Sequence, residues 1–154
     1  MANTKQTPAP LEAHLGFWLR FVSNHVSARF QKCLESEGIT VTEWVALRTL
    51  WGQRETSHAA LIQAIGMTKG AASKIISRLE KKGLAERQQA DGRAREQWLR
   101  LTAAGDALVP HLAALADAND EHFFAHLPPA ARQALLDTLQ ALVRHHQLKE
   151  LPTT

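Results

Sequence analysis

The chain has 154 residues, of which 45% are hydrophobic and 21% charged. That is the length of about one domain with near-globular composition, which sets aside disorder, collagen-like repeats and a charged tail protein. No uncharged stretch approaches the roughly 20 apolar residues of a spanning helix, so a membrane protein is excluded. The 18 Lys and Arg exceed the 15 Asp and Glu by only three, but the excess is concentrated. Residues 69–100 hold nine basic against four acidic side chains, a local +5, whereas the rest of the chain holds nine against eleven. A basic segment in an otherwise slightly acidic chain is the footprint of a polyanionic partner.

A single cysteine, Cys33, permits neither an internal disulfide nor a multi-cysteine zinc site. The first thirty residues lack a basic start followed by an apolar core and a cleavage site, so the expected compartment is the reducing cytoplasm.

Both ends, residues 1–10 and 151–154, contain proline and no apolar period, and are expected to fray. From Leu11 the apolar residues Leu15, Trp18, Val22, Val26, Phe30 and Cys33 follow at three- and four-residue steps, which predicts one long amphipathic helix. Gly38 lies just past its end. Thr40-Val41-Thr42-Glu43 then supplies a capping box for a second helix running to about Trp51. Residues 57–66 predict a short helix with Leu61, Ile62 and Ile65 inward. After the turn Gly66-Met67, Thr68 is placed as the N-cap of a longer helix over residues 69–82. That helix turns Ala72, Ile75, Ile76 and Leu79 inward and is ended by Gly83. Two helices joined by a short glycine-containing turn, the second with small, hydroxyl and cationic side chains on its free face, form a helix-turn-helix. Residues 84–89 and 97–101 predict a hairpin with a basic tip around Asp91-Gly92. Thr102 caps a further helix through Phe123 and Phe124. Pro128-Pro129 interrupts before a last amphipathic helix from Ala130 to about Leu148.

The run AIGMTKGAASKIISRLEKKGL at residues 64–84 resembles the turn, recognition helix and exit of the MarR (multiple antibiotic resistance regulator) family. Asp91-Gly92-Arg93 is similar to that family's D-x-R wing motif, and Leu99-Arg100-Leu101-Thr102-Ala103-Ala104-Gly105 to the run opening its fifth helix. The likeness spans roughly residues 11–146. It implies a mostly helical fold with a small β-hairpin wing, that is, a winged helix-turn-helix at residues 40–101 joined to dimerisation helices at 11–36 and 106–148 in one unit. It also implies a homodimeric transcription factor on double-stranded DNA with a pseudopalindromic operator, acting as a ligand-responsive repressor. The amphipathic first and last helices point to the same pairing, since a small winged helix offers too few partners for their stripes.

On the recognition face Lys69 and Lys74 can reach phosphates or guanine acceptors, the Thr68 and Ser73 hydroxyls can contact either, and Gly70 and Ala71 permit close approach. Ser77 and Arg78 complete the face. The local motif assigns the minor-groove arginine to Arg93, whereas counting back from Thr102 assigns it to Arg95; both stand as candidates. The resemblance further implies a small aromatic or phenolic effector, for which Trp18 and His25 on the first helix and Trp44 and Arg48 on the second are the candidates. Against that stands the plainer reading of the same aromatic residues as core.

Cys33, on the apolar stripe in a chain without tyrosine, is expected to be a buried, inert thiol. Glu121-His122 with His126, and His145-His146, are read as solvated polar faces rather than metal ligands, so neither metal nor other cofactor is expected. The chain has none of the H-E-x-x-H, G-x-S-x-G, Walker or G-x-G-x-x-G motifs, and catalysis is not expected. The competing readings are an architectural DNA-binding protein without effector response, a redox- or metal-responsive regulator, and a protein-interaction module built on the terminal helices.

Overall fold

The computed structural model describes residues 7–89 and 97–148. The apolar stripe that begins at Leu11 is not one helix. Leu11–Ala13 forms a 3-10 turn, and His14, with φ −100° and ψ 125°, breaks the chain before α1 (Leu15–Glu35). Pro10, extended at φ −63° and ψ 153°, is the N-cap at which this short piece begins. The second helix, α2 (Val41–Leu50), starts on the expected box: Thr40 Oγ1 accepts the Glu43 N–H at 3.1 Å, and the Glu43 carboxylate accepts the Thr40 N–H at 2.9 Å.

Then follow β1 (Thr56–Ser57), α3 (His58–Ile65), α4 (Lys69–Lys81), β2 (Ala85–Gln89), β3 (Gln97–Leu101), α5 (Ala103–Phe124) and α6 (Pro129–His145). The two expected strands pair antiparallel, with Glu86 opposite Arg100 and Arg87 opposite Leu99. β1, which the sequence reading lacks, adds to the outer edge of β3 with Thr56 opposite Leu99, so the sheet order is β1-β3-β2. Two residues carry no periodic signal, and β1 exists through pairing with a strand some forty positions away. The last helix ends at His145, short of the expected Leu148.

Two buried clusters meet on α4. Ile75 and Leu79 pack with Leu34, Ile39, Leu47, Val109 and Leu112, while Ala72 and Ile76 pack with Leu50, Leu61, Ile65 and Leu99. Burial of each large aliphatic side chain contributes about 1.5–3 kcal/mol, so these contacts set the depth and rotation of α4. Leu61 and Ile65 face inward as expected, with Ile62 half-buried against the second cluster.

α1 and α5 pack together and are tied by Asn119, only 3% exposed, whose Oδ1 accepts from Arg29 at 3.0 Å and whose Nδ2 donates to the Val26 carbonyl at 3.2 Å. By contrast every residue of α6 is exposed, its Leu135, Leu136, Leu139, Leu142 and Val143 included. The start of α1 is equally bare, with Leu15 at 88% and Trp18, Leu19, Phe21 and Val22 all exposed. No described helix is long and apolar enough to cross a membrane.

Candidate nucleic-acid interface

The turn between α3 and α4 is built from two local devices. Gly66 closes α3 in the left-handed region, φ 63° and ψ 31°, where a side chain would be strained. Thr68 then opens α4, its Oγ1 accepting the Ala71 N–H at 3.2 Å. With the apolar face of α4 held by both clusters, Thr68, Lys69, Gly70, Lys74, Ser77 and Arg78 are exposed and Ala71 and Ser73 are half-buried. The structure thus brings these eight residues to one helix and its turn. Asp91, Gly92, Arg93 and Arg95, the tip of the hairpin, lie outside the described residues.

The seven described cations of residues 69–100 are of two kinds. Arg100 pairs with Glu86 directly across the sheet, Arg87 with Glu80, and Lys82 with Glu43. Lys69, Lys74, Arg78 and Lys81 form no ion pair among the described residues, and all four lie on α4. Within the described part of this segment the unpaired positive charges therefore all lie on α4.

Arg87 is a residue the sequence reading left without a role. From β2 its guanidinium reaches Glu80 Oε1 at 2.5 Å and donates to Ser77 Oγ at 2.9 Å and Gln97 Oε1 at 3.4 Å. It braces the wing strands against α4, and one recognition-face hydroxyl, that of Ser77, serves as its acceptor. Nearby a cleft of about 410 Å³ is lined by Ser57, His58, Ala59, Ile62, Lys69, Gln97 and Trp98. The Nε2 of His58 is buried there without a hydrogen-bond partner among the described residues. Burial first, and then the positive charges of Arg87 and Lys69, hold the His58 imidazole below its ordinary value. No local pattern announces His58 or Arg87, because their neighbours come from other elements.

The four effector candidates are not gathered round one cavity in the protomer. Trp18 donates from Nε1 to the Glu12 carbonyl at 2.9 Å and meets Phe17 edge-on, and the exposed His25 lies 4.9 Å from the ring of Phe21. Trp44 packs edge-on against Phe30, and Arg48 lies over the Trp51 ring at 5.2 Å. Neither the cleft beside His58 nor a second one, between Leu139, Gln140, Val143 and Arg144, is lined by any of the four. Cys33 is half-buried rather than fully buried, since it sits on the last turns of α1 where only Leu34 enters the core. Among the described residues no three His, Cys, Asp or Glu side chains cluster as metal ligands would.

A three-stranded antiparallel sheet edging a helix-turn-helix is the winged-helix architecture, and its second helix carries four basic side chains without an ion pair among the described residues. A sequence profile described as the MarR family matches residues 39–96. Over those residues the chain is similar to the MarR family, and the curated relatives that it matches are transcriptional regulators. It is 26% identical over 135 residues to a putative transcriptional regulatory protein for the hcr operon of Thauera aromatica, covering 87% of this chain and 81% of that one. It is 23% identical over 125 residues to the transcriptional regulator HosA of Escherichia coli O157:H7, covering 81% and 91% respectively. Among solved structures, BpsR of Bordetella bronchiseptica superposes with a TM-score of 0.78 at 24% identity, covering 88% of this chain and 97% of that one.

Proposed function

We propose that this protein acts as a homodimeric transcriptional repressor, gripping a pseudopalindromic operator with two copies of α4 and leaving it when a small aromatic or phenolic effector binds. The observation that carries the reading is that Lys69, Lys74 and Arg78 are exposed on α4 without an ion pair among the described residues. In this reading α4 enters the major groove. Lys69, Lys74 and Arg78 contact phosphates or guanine edges, Thr68, Ser73 and Ser77 add hydroxyl contacts, and Gly70 and Ala71 let the backbone approach. Arg93 or Arg95 fills the minor groove. The unit divides into a DNA-binding region, 40–101, and dimerisation helices, 11–36 and 106–148. It works in the cytoplasm and catalyses no reaction.

Support for the dimer is physical: α6 and the first half of α1 expose two long apolar stripes that a second copy would cover. Support for the effector class comes from the solved relative whose DNA binding is described as regulated by 6-hydroxynicotinic acid, an aromatic acid. In the dimer Trp18, His25, Trp44 and Arg48 would line the effector site, with the Arg48 guanidinium as carboxylate partner. An effector acts here by preferring a dimer in which the two copies of α4 no longer match the spacing of the half-sites.

The test is binding of the purified protein to the DNA just upstream of its own gene, at several salt concentrations and with a panel of aromatic acids. The expected result is tight, salt-sensitive binding released by one class of compound. Binding that no acid releases overturns the effector assignment, and no binding at any salt overturns the role of α4.

A further inference from the structure

The far end of the recognition helix is held by a contact that spans 39 residues of sequence. Lys82, the C-cap of α4, donates from Nζ to Glu43 Oε2 at 2.7 Å and to the Gly38 carbonyl at 2.6 Å. Glu43 is 1% exposed, and the same Oε2 accepts the Thr40 N–H at 2.9 Å. Gly38 and Thr40 bracket Ile39, a core residue whose N–H bonds to the Leu34 carbonyl at 3.1 Å. From the other side His111 of α5 lies 3.0 Å from Glu37. One cation from α4 is therefore seated in the short joint between α1 and α2. A lysine committed to a buried carboxylate and a backbone carbonyl is a poor phosphate ligand, because leaving them strands the carboxylate.

We propose that Lys82 is a positioning residue for DNA recognition. Through Glu43 and the Gly38 carbonyl it anchors the C-terminal end of α4 to the α1–α2 joint and so sets the angle at which the helix meets DNA. The inference rests on the reading that α4 enters the groove. The core clusters fix the depth and rotation of α4, while this contact fixes its tilt at one end. At 1.5 Å per residue α4 is about 20 Å long, so a tilt of about 10° at the anchored end displaces Lys69 and Gly70 by about 3 Å. That is the full length of a hydrogen bond, enough to lose base contacts while leaving a loose electrostatic association intact.

The experiment uses full-length protein and two DNA duplexes, one selected by the wild-type protein from a randomised library and one scrambled version of it. Affinities are measured across salt for Lys82→Met and Glu43→Gln, with the folded, active fraction of each determined first. Glu43→Gln retains an oxygen for the Thr40 N–H and frees the lysine charge, so it decides the question even where Lys82→Met folds poorly. Each variant is expected to bind the selected duplex about tenfold more weakly, with unchanged salt slope and unchanged affinity for the scrambled duplex. The double variant is expected to lose no more than either single one. A salt slope reduced by about 0.9 per protomer in Lys82→Met, with Glu43→Gln binding as tightly as wild type or tighter, marks Lys82 as a phosphate contact and overturns the proposal. Wild-type affinity in folded variants overturns it too. Failure of the wild-type protein to select any duplex removes the DNA reading itself, a distinct result.

Discussion

A Cβ atom added to Gly105 would stand 2.0 Å from the carbonyl oxygen of Leu84. That oxygen accepts the Thr102 N–H at 3.0 Å, Thr102 Oγ1 donates to the Gly83 carbonyl at 2.6 Å, and the same hydroxyl accepts the Gly105 N–H at 3.1 Å. The start of α5 is thus locked onto the exit of α4 at a spacing only glycine allows. Gly105→Ala must push the two segments apart, and a loss of about 1–3 kcal/mol is expected from this overpacking. Urea unfolding at fixed protomer concentration checks it; an unchanged midpoint would show that α5 shifts freely over Leu84.

The division of the basic segment into paired and unpaired cations makes a second prediction. Lys74 is exposed on α4 without an ion pair among the described residues, whereas Arg100 faces Glu86 across the sheet. Lys74→Ala is expected to weaken DNA binding at every sequence and to flatten the salt slope by about 0.9 per protomer, while Arg100→Ala leaves the slope unchanged. Equal slopes for both variants would show that net charge, not placement on α4, governs binding.

These pairs mark where the sequence stops being informative. The helix-turn-helix was legible because its signals are local: Gly66 and Thr68 stand within three residues of the boundaries they set, and Ala72, Ile75, Ile76 and Leu79 repeat at helical spacing. Counting charges over residues 69–100 could not separate Lys74 from Lys82, since the acid that engages Lys82 is Glu43, a residue that reads as half of a capping box and is also the buried end of an ion pair. His58 and Arg87 were opaque for the same reason, their environment being assembled from α3, α4 and the sheet. The break at His14 was hidden because the apolar period runs through it unbroken, from Leu11 to Leu15 and Trp18.

The bare stripe on α6 yields a prediction about assembly. Leu135, Leu139 and Leu142 recur at i, i+4 and i+7 and are all exposed in the protomer. Leu139→Asp places a charge in the middle of that stripe without touching the described core. Sedimentation is expected to show a monomer in place of a dimer, with operator affinity reduced more than tenfold because a single copy of α4 must bind alone. A dimer that survives the change would locate the interface elsewhere.

His58 makes one contribution to the pH dependence of the fold. Its imidazole is held below the ordinary value of 6.5 by burial and by the charges of Arg87 and Lys69. As pH falls, the unfolded chain takes up this proton near 6.5 and the folded chain only lower down. Between those points the unfolded state binds more protons, so stability is full above about pH 6.5 and declines as pH falls through the window. Protonation also sets a third cation beside Arg87 and Lys69, at the seam where Arg87 braces β2 on α4. His58→Gln removes this titration. Denaturant unfolding at about pH 7.5 and about pH 5 should therefore show a smaller acid loss in His58→Gln than in the wild type. An equal loss in both proteins would mean that the folded and unfolded chains protonate His58 alike, and that the burial of Nε2 has no energetic consequence.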